Sequence, residues 1–323
     1  MSKSVFVTLL LVLISIVSCE EGPKRRYLAD SNGNMNHLTV VMEESDWNGE
    51  LGKTTRKLLE TPYEGLPLIE PQFSLKYLSP KVFSGFARNS RNVLWFQKDT
   101  IARFQLIENY FARPQIVAIV KGEDQEVQAV FLEENIKLLR ATLSENEQKE
   151  KLRRIQKSPS RDKGLSDRFK VQLIYPTAYK TVKDTTNFIW IQKPVQKGHL
   201  NIIAYSLPEN ELNGNTKKKI IEIRDSIGKV YVPGRLKGSF MITEKAYRPY
   251  FYKMKLDNKF SYLTKGTWEV ENDFMAGPFI NYMIKDTVNK RWMVVEGFSF
   301  APSISKRDYM FELNTILSSI RFE

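Results

Sequence analysis

Between Asp124 and Gln156 the apolar residues Leu132, Ile136, Leu139 and Leu143 return every three or four positions, the spacing of one helix face. This stretch predicts one long helix, with strand-like segments both before and after it. The chain then turns basic: "KEKLRRIQKSPSRDKGLSDRFK" (149–170) holds nine Lys/Arg against three acids. Ser158-Pro159-Ser160 and Gly164 in the same stretch are turn formers, so a domain boundary is expected here. A length of 323 residues suits two domains, since single cores seldom grow much beyond a couple of hundred residues.

Ahead of the boundary, "HLTVVM" (37–42), "RNVLWFQ" (91–97) and "PQIVAIVKG" (114–122) read as strands. "SDWNGELGKTTRKLLE" (45–60) reads as a helix with Trp47, Leu51, Thr55 and Leu58 on one face, weakened by Gly49 and Gly52. The stretch 61–80, "TPYEGLPLIEPQFSLKYLSP", reads as a proline-punctuated connection. After the boundary, strands are expected over 168–179, 187–192 and 199–207, then a helix from Thr216 to Ile227 with Ile220, Ile223 and Ile227 inward. "GSFMIT", "YFYKMK", "GTWEVE", "PFINYMIKD" and "RWMVVEGFSF" continue as strands. A closing helix within 305–322 buries Tyr309, Leu313, Ile316, Leu317 and Ile320, with Ser305 and Asp308 as its capping box.

The expected class is α+β, in two tandem domains, each a largely antiparallel sheet packed against helices. The expected bounds are a signal peptide over 1–18, a flexible tether over 19–36, domains over 37–157 and 168–323, and a linker over 158–167.

The amino terminus constrains location. "MSKSVFVTLLLVLISIVSC" carries Lys3, an apolar run from Val5 to Val17, then Ser18 and Cys19, the only cysteine in the chain. A thirteen-residue apolar helix spans about 20 Å, short of a hydrocarbon core of about 30 Å, so the run matches a signal-peptide core better than a permanent span. Ile16-Val17-Ser18-Cys19 resembles a bacterial lipobox, although Leu is commoner where Ile16 stands and a smaller residue where Val17 stands. That resemblance implies cleavage between Ser18 and Cys19 and diacylglyceryl transfer to the Cys19 thiolate. A cysteine-free remainder cannot mispair in an oxidising compartment. The expected location is a bacterial cell envelope, lipid-anchored, on the periplasmic or surface face of the outer membrane. The acidic start "EEGPKRR" resembles a surface-export signal and equally suits a solvated tether.

The formal charge is +12, and removing residues 1–18 takes away only Lys3, leaving +11. Such an excess steers anionic partners towards the protein. Neither a zinc-finger spacing nor a glycine-flanked aromatic RNA motif points to nucleic acid. A contact for an anionic surface, whether acidic polysaccharide or lipid headgroup, draws on two candidate basic runs: Arg153, Arg154 and Lys157, and Lys217, Lys218 and Lys219 at a helix start. Each run also suits a solvated helix end.

For catalysis the residues offer little. His37 and His199 lie beside separate strands, too few for a metal site, and no cofactor is expected. Neither a glycine-flanked nucleophile elbow nor a Walker-type loop occurs. Glu269, Glu271 and Asp273 alternate in "WEVENDF" and would share one face of a strand, where clustered carboxylates can serve acid–base chemistry on glycan or lipid. A turn built around Asp273, Gly277 and Pro278 is the plainer alternative. The leading reading is therefore a non-enzymatic interaction or accessory module.

The block 266–313, "GTWEVENDFMAGPFINYMIKDTVNKRWMVVEGFSFAPSISKRDYMFEL", resembles the carboxy-terminal signature of a Bacteroidota lipoprotein family, the domain-of-unknown-function family 4837; Ala276 stands where that signature has glycine. "DWNGELGKTTRKLLETPYEGLPLIEPQFSL" (46–75) and "FSGFARNSRNVLWF" (83–96) resemble its earlier parts. The strand order of the second half and its "SSIRF" ending are similar to the PsbP-like α/β/α sandwich. The resemblance implies envelope location and two α+β modules. It carries no catalytic residues.

Overall fold

The computed structural model describes residues 27–212, 214 and 216–323, so the expected signal segment, Ser18, Cys19 and the first part of the tether lie outside the described residues. The α+β class and the two tandem domains are as expected.

In the first domain, strands β1 (Ala29–Asp30) and β2 (His37–Val41) precede helices α1 (Glu44–Asn48) and α2 (Glu50–Leu59); strands β3 (Ser74–Leu78), β4 (Asn92–Lys98), β5 (Arg103–Glu108), β6 (Ala112–Arg113) and β7 (Ile116–Gly122) follow, and helix α3 (Gln125–Ile155) closes the domain. The central sheet has the order β3-β2-β4-β7-β5. Here the expectation of an antiparallel sheet is corrected: β2 pairs with β3 and β4, and β4 with β7, in parallel, and only the edge strand β5 runs against its neighbour. The physical reason lies in the strands themselves. Val93, Leu94, Val117, Ala118, Ile119 and Val120 are buried without a polar alternate, as happens when both faces of a parallel sheet are covered. Leu38, Val40, Leu94, Ala118 and Val120 pack against Leu51, Leu59, Leu132, Leu139 and Leu143 from α2 and α3, while Val41, Val93, Val117 and Ile119 meet Phe83 on the other side.

The predicted helix over 45–60 is two helices meeting at Gly49, whose backbone is extended. Strands β3 and β5 were not expected: Ser74–Leu78 hides behind prolines, and Arg103–Glu108 is half-exposed, as an edge strand should be. The expected tether is shorter than 19–36, because β1 pairs with β6 and Asn36 is buried.

In the second domain, α4 (Gly164–Phe169), β8 (Val171–Gln172), β9 (Lys180–Thr185), β10 (Phe188–Val195), β11 (Gly198–Pro208), α5 (Thr216–Tyr231), β12 (Met241–Thr243), β13 (Tyr250–Leu256), β14 (Lys259–Val270), β15 (Asp273–Asp286), β16 (Arg291–Phe300), α6 (Arg307–Ser318) and β17 (Arg321–Phe322) follow in order. The large sheet runs β12-β14-β15-β16-β11-β10-β9, all antiparallel, with β13 also on β14. Alternation along β16 explains its two covers. Trp292, Val294 and Phe298 join Ile220 and Ile223 of α5, and Met293 and Val295 join Leu313, Ile316 and Leu317 of α6. Gly297 lets α6 come close, since a Cβ there would stand 3.0 Å from Leu313 Cβ.

The expected strand over 168–179 shrinks to β8, and the segment before it is helical from Gly164. The proposed linker is tied down as well: the Ser160 N–H donates to the Tyr175 carbonyl and Pro159 bridges to Pro176. Neither fixes a free hinge. Helix α5 extends to Tyr231 and buries Arg224, whose guanidinium donates to Glu296 (Nη2–Oε1 2.9 Å) and lies 3.8 Å over the Phe279 ring.

Candidate functional site

The two domains meet along α3 and along a strap, residues 61–72, that leaves the first domain and returns to it. The strap is closed at its base: Gln72 N–H donates to the Thr61 carbonyl (2.7 Å) and Tyr63 N–H to the Glu70 carbonyl (2.8 Å). Prolines 62, 67 and 71 stiffen it, and Gly65 takes φ +82°, with its hypothetical Cβ only 3.0 Å from Lys265 Cβ and 3.1 Å from Gly266 N. Any side chain at 65 would push the strap off the second domain.

Two carboxylates of the strap reach across. Glu64 accepts from the Tyr252 hydroxyl (2.7 Å) and from Lys265 Nζ (3.1 Å). Burial alone would raise the Glu64 pKa, but the Tyr252 hydrogen bond and Lys265 outweigh it and hold it below the usual value. The Tyr252 phenol is pushed up to about 12, first by burial and then by Glu64. Glu70 accepts from the backbone N–H groups of Lys306 (2.7 Å) and Arg307 (2.8 Å) and from the Ser305 hydroxyl. It thus caps the start of α6 from the other domain, where the helix dipole favours an anion. The expected capping box is corrected accordingly. Ser305 donates to Glu70, and Asp308 instead accepts from Asn36 Nδ2 (3.0 Å) and Arg307 Nε (3.0 Å).

Farther along the seam, Glu312 on α6 accepts from Lys151 of α3 (2.7 Å), from Lys193 (2.5 Å) and from the Tyr179 hydroxyl (2.9 Å). Behind it Glu147 of α3, fully buried, accepts from Arg91 Nε (2.6 Å), Asn92 Nδ2 (2.6 Å) and the Asn36 N–H (2.5 Å). Glu64, Glu70 and Glu312 thus cross the junction to partners far away in sequence, while Glu147 holds α3 to its own domain.

Between strap, α3, β14 and α6 lies a cavity of about 270 Å³, lined by Asn36, Tyr63, Glu64, Gln72, Arg140, Ser144, Gln148, Lys265, Phe311 and Asn314. It shares Pro62, Tyr63 and Glu64 with an open groove of about 490 Å³ walled by Leu66, Leu68, Ile69, Tyr247, Arg248 and Tyr250. In the cavity Arg140 Nη2 donates to Gln72 Oε1 (3.1 Å), and Gln72 Nε2 to Ser144 Oγ (2.8 Å). Convergent amides, a hydroxyl and a guanidinium at a domain interface form the surface best suited to hold a small polar molecule.

A second cavity, about 370 Å³, opens at the carboxyl ends of the parallel strands and is lined by Glu43, Asp46, Phe96, Lys98, Glu123, Asp124, Gln125 and Gln128. Its acids serve local structure: Asp124 Oδ1 accepts the Val127 N–H (2.9 Å), capping α3, and Asp46 accepts from Gln125 Nε2 (2.7 Å).

The residues singled out from sequence fare differently. Ser18 and Cys19 lie outside the described residues. Glu269, Glu271 and Asp273 do not share a strand face: β14 ends at Val270, Asn272 turns the chain at φ +65°, and Asp273 opens β15. Asp273 is held by Arg235 (2.6 Å), whose hydrogen bonds lower its pKa; the turn falls at 271–272, ahead of the expected Asp273–Pro278 turn, and Gly277 and Pro278 lie within β15. The basic residues divide between α3 and α5. Arg153 and Arg154 both fork onto the buried Glu150, Lys157 follows exposed, Lys218 and Lys219 pair with Glu222 and Glu211, and Lys217 lies over the Phe251 ring. His37 opens β2 with its pKa lowered, by burial first and then by Arg307, and His199 is exposed on β11. Among the described residues no group of three or more His, Cys, Asp or Glu is placed to hold a metal ion.

Sequence reasoning passed over Glu64, Glu70, Arg140 and Lys265. The available signal was "PYEGLPLIEP", where two glutamates stand in an otherwise apolar, proline-rich loop that has no helix or strand to solvate them.

Comparison with protein families places the chain. Residues 158–319, half of its length, match the model described as Domain of unknown function (DUF4837). Residues 31–156 match a second, Domain of unknown function (DUF8532), which takes in the 46–75 stretch read from sequence as part of the first family. No curated protein matches the chain.

Proposed function

This chain belongs to the DUF4837 family, and from that premise we propose that it is an envelope lipoprotein, anchored through Cys19, whose two-domain body works as an interaction or accessory module through the domain seam. The observation that carries the anchor is the sole cysteine, placed where an apolar run of signal-peptide length ends. Several acyl chains there would hold the protein stably, where one chain is marginal. The first described strand begins at Ala29, so the segment after Cys19 is short and would keep the body near the membrane surface. No helix among the described residues is long and apolar enough to cross a membrane.

The accessory-module reading is supported by the polar cavity at the seam, whose amide, hydroxyl and guanidinium groups suit it to binding. A hydrolase working through Glu269, Glu271 and Asp273 would need them in one pocket, and they flank a turn instead. Replacing Cys19 with alanine tests the anchor. The variant should leave the membrane fraction or remain as an unprocessed precursor. A processed, membrane-bound Cys19→Ala protein would end the lipoprotein reading.

A further inference from the structure

We infer that the seam cavity and its groove bind a carboxylate-bearing saccharide, with Arg140 meeting the carboxylate and Tyr247 and Tyr250 carrying the rings. The inference deepens the binding role given to the seam and does not depend on the anchor.

Charge comes first. The 270 Å³ cavity continues on one side into the groove and on the other along α3, through Gln72, Arg140 and Ser144, to Lys137. Lys137, Arg140, Arg248 and Lys265 line this continuous surface, against Glu64 alone. Lys265 is already engaged by Glu64 (3.1 Å), whereas Arg140 makes no ion pair among the described residues and bonds only the neutral Gln72. Arg140 acts on Glu64 only through space, so its guanidinium has donors left over for an anion, and its planar fork fits a carboxylate in two-point contact.

The neutral lining then narrows the class. Asn36, Gln72, Gln148 and Asn314 offer both donors and acceptors, and Ser144 adds a hydroxyl; sugar hydroxyls, which donate and accept at once, match such a set. A bare phosphate is best met by several guanidinium groups or by backbone N–H groups at a helix start. Here the lining residues of α3 and α6 come from mid-helix, and the cavity itself holds a single guanidinium, Arg140, with Arg248 standing apart in the groove. Beyond the cavity mouth Tyr247 and Tyr250 line the groove and are 61% and 48% exposed, so aromatic surface is available there for the C–H faces of pyranose rings. The groove is large enough to extend a ligand past its first ring. The overall positive charge adds steering towards the same ligand class.

The test is isothermal titration of the detergent-solubilised full chain with tri-galacturonate, with the neutral trigalactose, with inorganic phosphate and with phosphatidylglycerol vesicles. Tri-galacturonate should bind, at least about 10-fold more tightly than the neutral sugar, and should weaken as salt is raised. Arg140→Gln should lose about 10-fold or more, as removal of a charge-assisted bond does. Tyr250→Ala, at an exposed position that folding does not require, should lose several-fold. Lys98→Gln, in the other cavity, should bind as the parent does. No heat with millimolar tri-galacturonate, equal binding of the neutral sugar, or full affinity in both Arg140→Gln and Tyr250→Ala would overturn the inference. Binding of phosphate or vesicles without the sugar would overturn it in favour of a headgroup. Repeating the titration with Cys19→Ala separates this result from the anchor, since loss of membrane attachment leaves the seam intact.

Discussion

The two ends of helix α3 sit in opposite surroundings. Its start faces the cavity at the sheet end, with Glu43, Asp46, Glu123 and Asp124 around it. Its last turns carry acids too, Glu147 and Glu150, but these are buried and each is gripped by arginine. At a helix start, anions need no cation, because the free N–H groups and the dipole already favour them. Near the helix end the dipole opposes a carboxylate, and burial adds to the cost. The acids there persist because Arg91 pairs with Glu147, and Arg153 and Arg154 with Glu150. Acids at the start of α3 therefore serve the helix start, while Glu147 at its other end ties the helix to Asn36, Arg91 and Asn92 of the first domain and Glu150 anchors the arginines of the last turn.

Removing Glu147 should give the largest effect. Glu147→Ala would strand Arg91, 1% exposed, without its carboxylate and leave the Asn36 N–H unpaired. A loss of about 3–5 kcal/mol is expected from the urea unfolding midpoint. A loss below about 1 kcal/mol would break the contrast between the two ends.

A smaller effect belongs to Glu312. Burial alone would raise its pKa, but Lys151 and Lys193 outweigh burial and hold it below the usual carboxylate value. A depressed folded-state pKa contributes stability that is fully present above the unfolded value of about 4.3 and fades as pH falls through the lower folded value. The parent should therefore be more stable than Glu312→Gln at neutral pH, by about 1–3 kcal/mol. That gap should close below about pH 4. Thermal midpoints measured against pH check this, and a gap that widens with acid would reverse the sign assigned to the seam.

The smallest effect is expected at the other end of the helix. Asp124→Ala removes an N-cap, worth about 1 kcal/mol by chemical denaturation. A loss as large as that of Glu147→Ala would show that both ends are tertiary.

The sequence made α3 legible almost to the residue, since the helix runs Gln125–Ile155 where 124–156 was expected. Periodicity and a run of turn formers are local signals, and local signals survive without a fold. Strands β2, β4 and β7 of the first domain are visible in the sequence as apolar runs, but their direction is not. An apolar run looks the same in a parallel or antiparallel sheet, and only the connections between strands, such as the crossover through α1 and α2 from β2 to β3, decide. The closing helix α6 was read with its buried stripe, yet its cap was assigned to Ser305 and Asp308 because they are near in sequence. Glu70 does the capping from 236 residues away, in the partner domain.

Residue by residue, the amino-acid sequence determined the α+β class, the division into two domains, the closing helix and the cysteine at the end of the signal-like run. These follow from periodicity and side-chain chemistry within a few turns of chain. The tertiary structure decided the parallel order of the first sheet, the separation of Glu269 and Glu271 from Asp273 by a turn, and the seam where Arg140 and Lys265 meet the strap. Those depend on charges and backbone groups that are distant in the chain, and their pairing acquires its energy only when burial removes them from water.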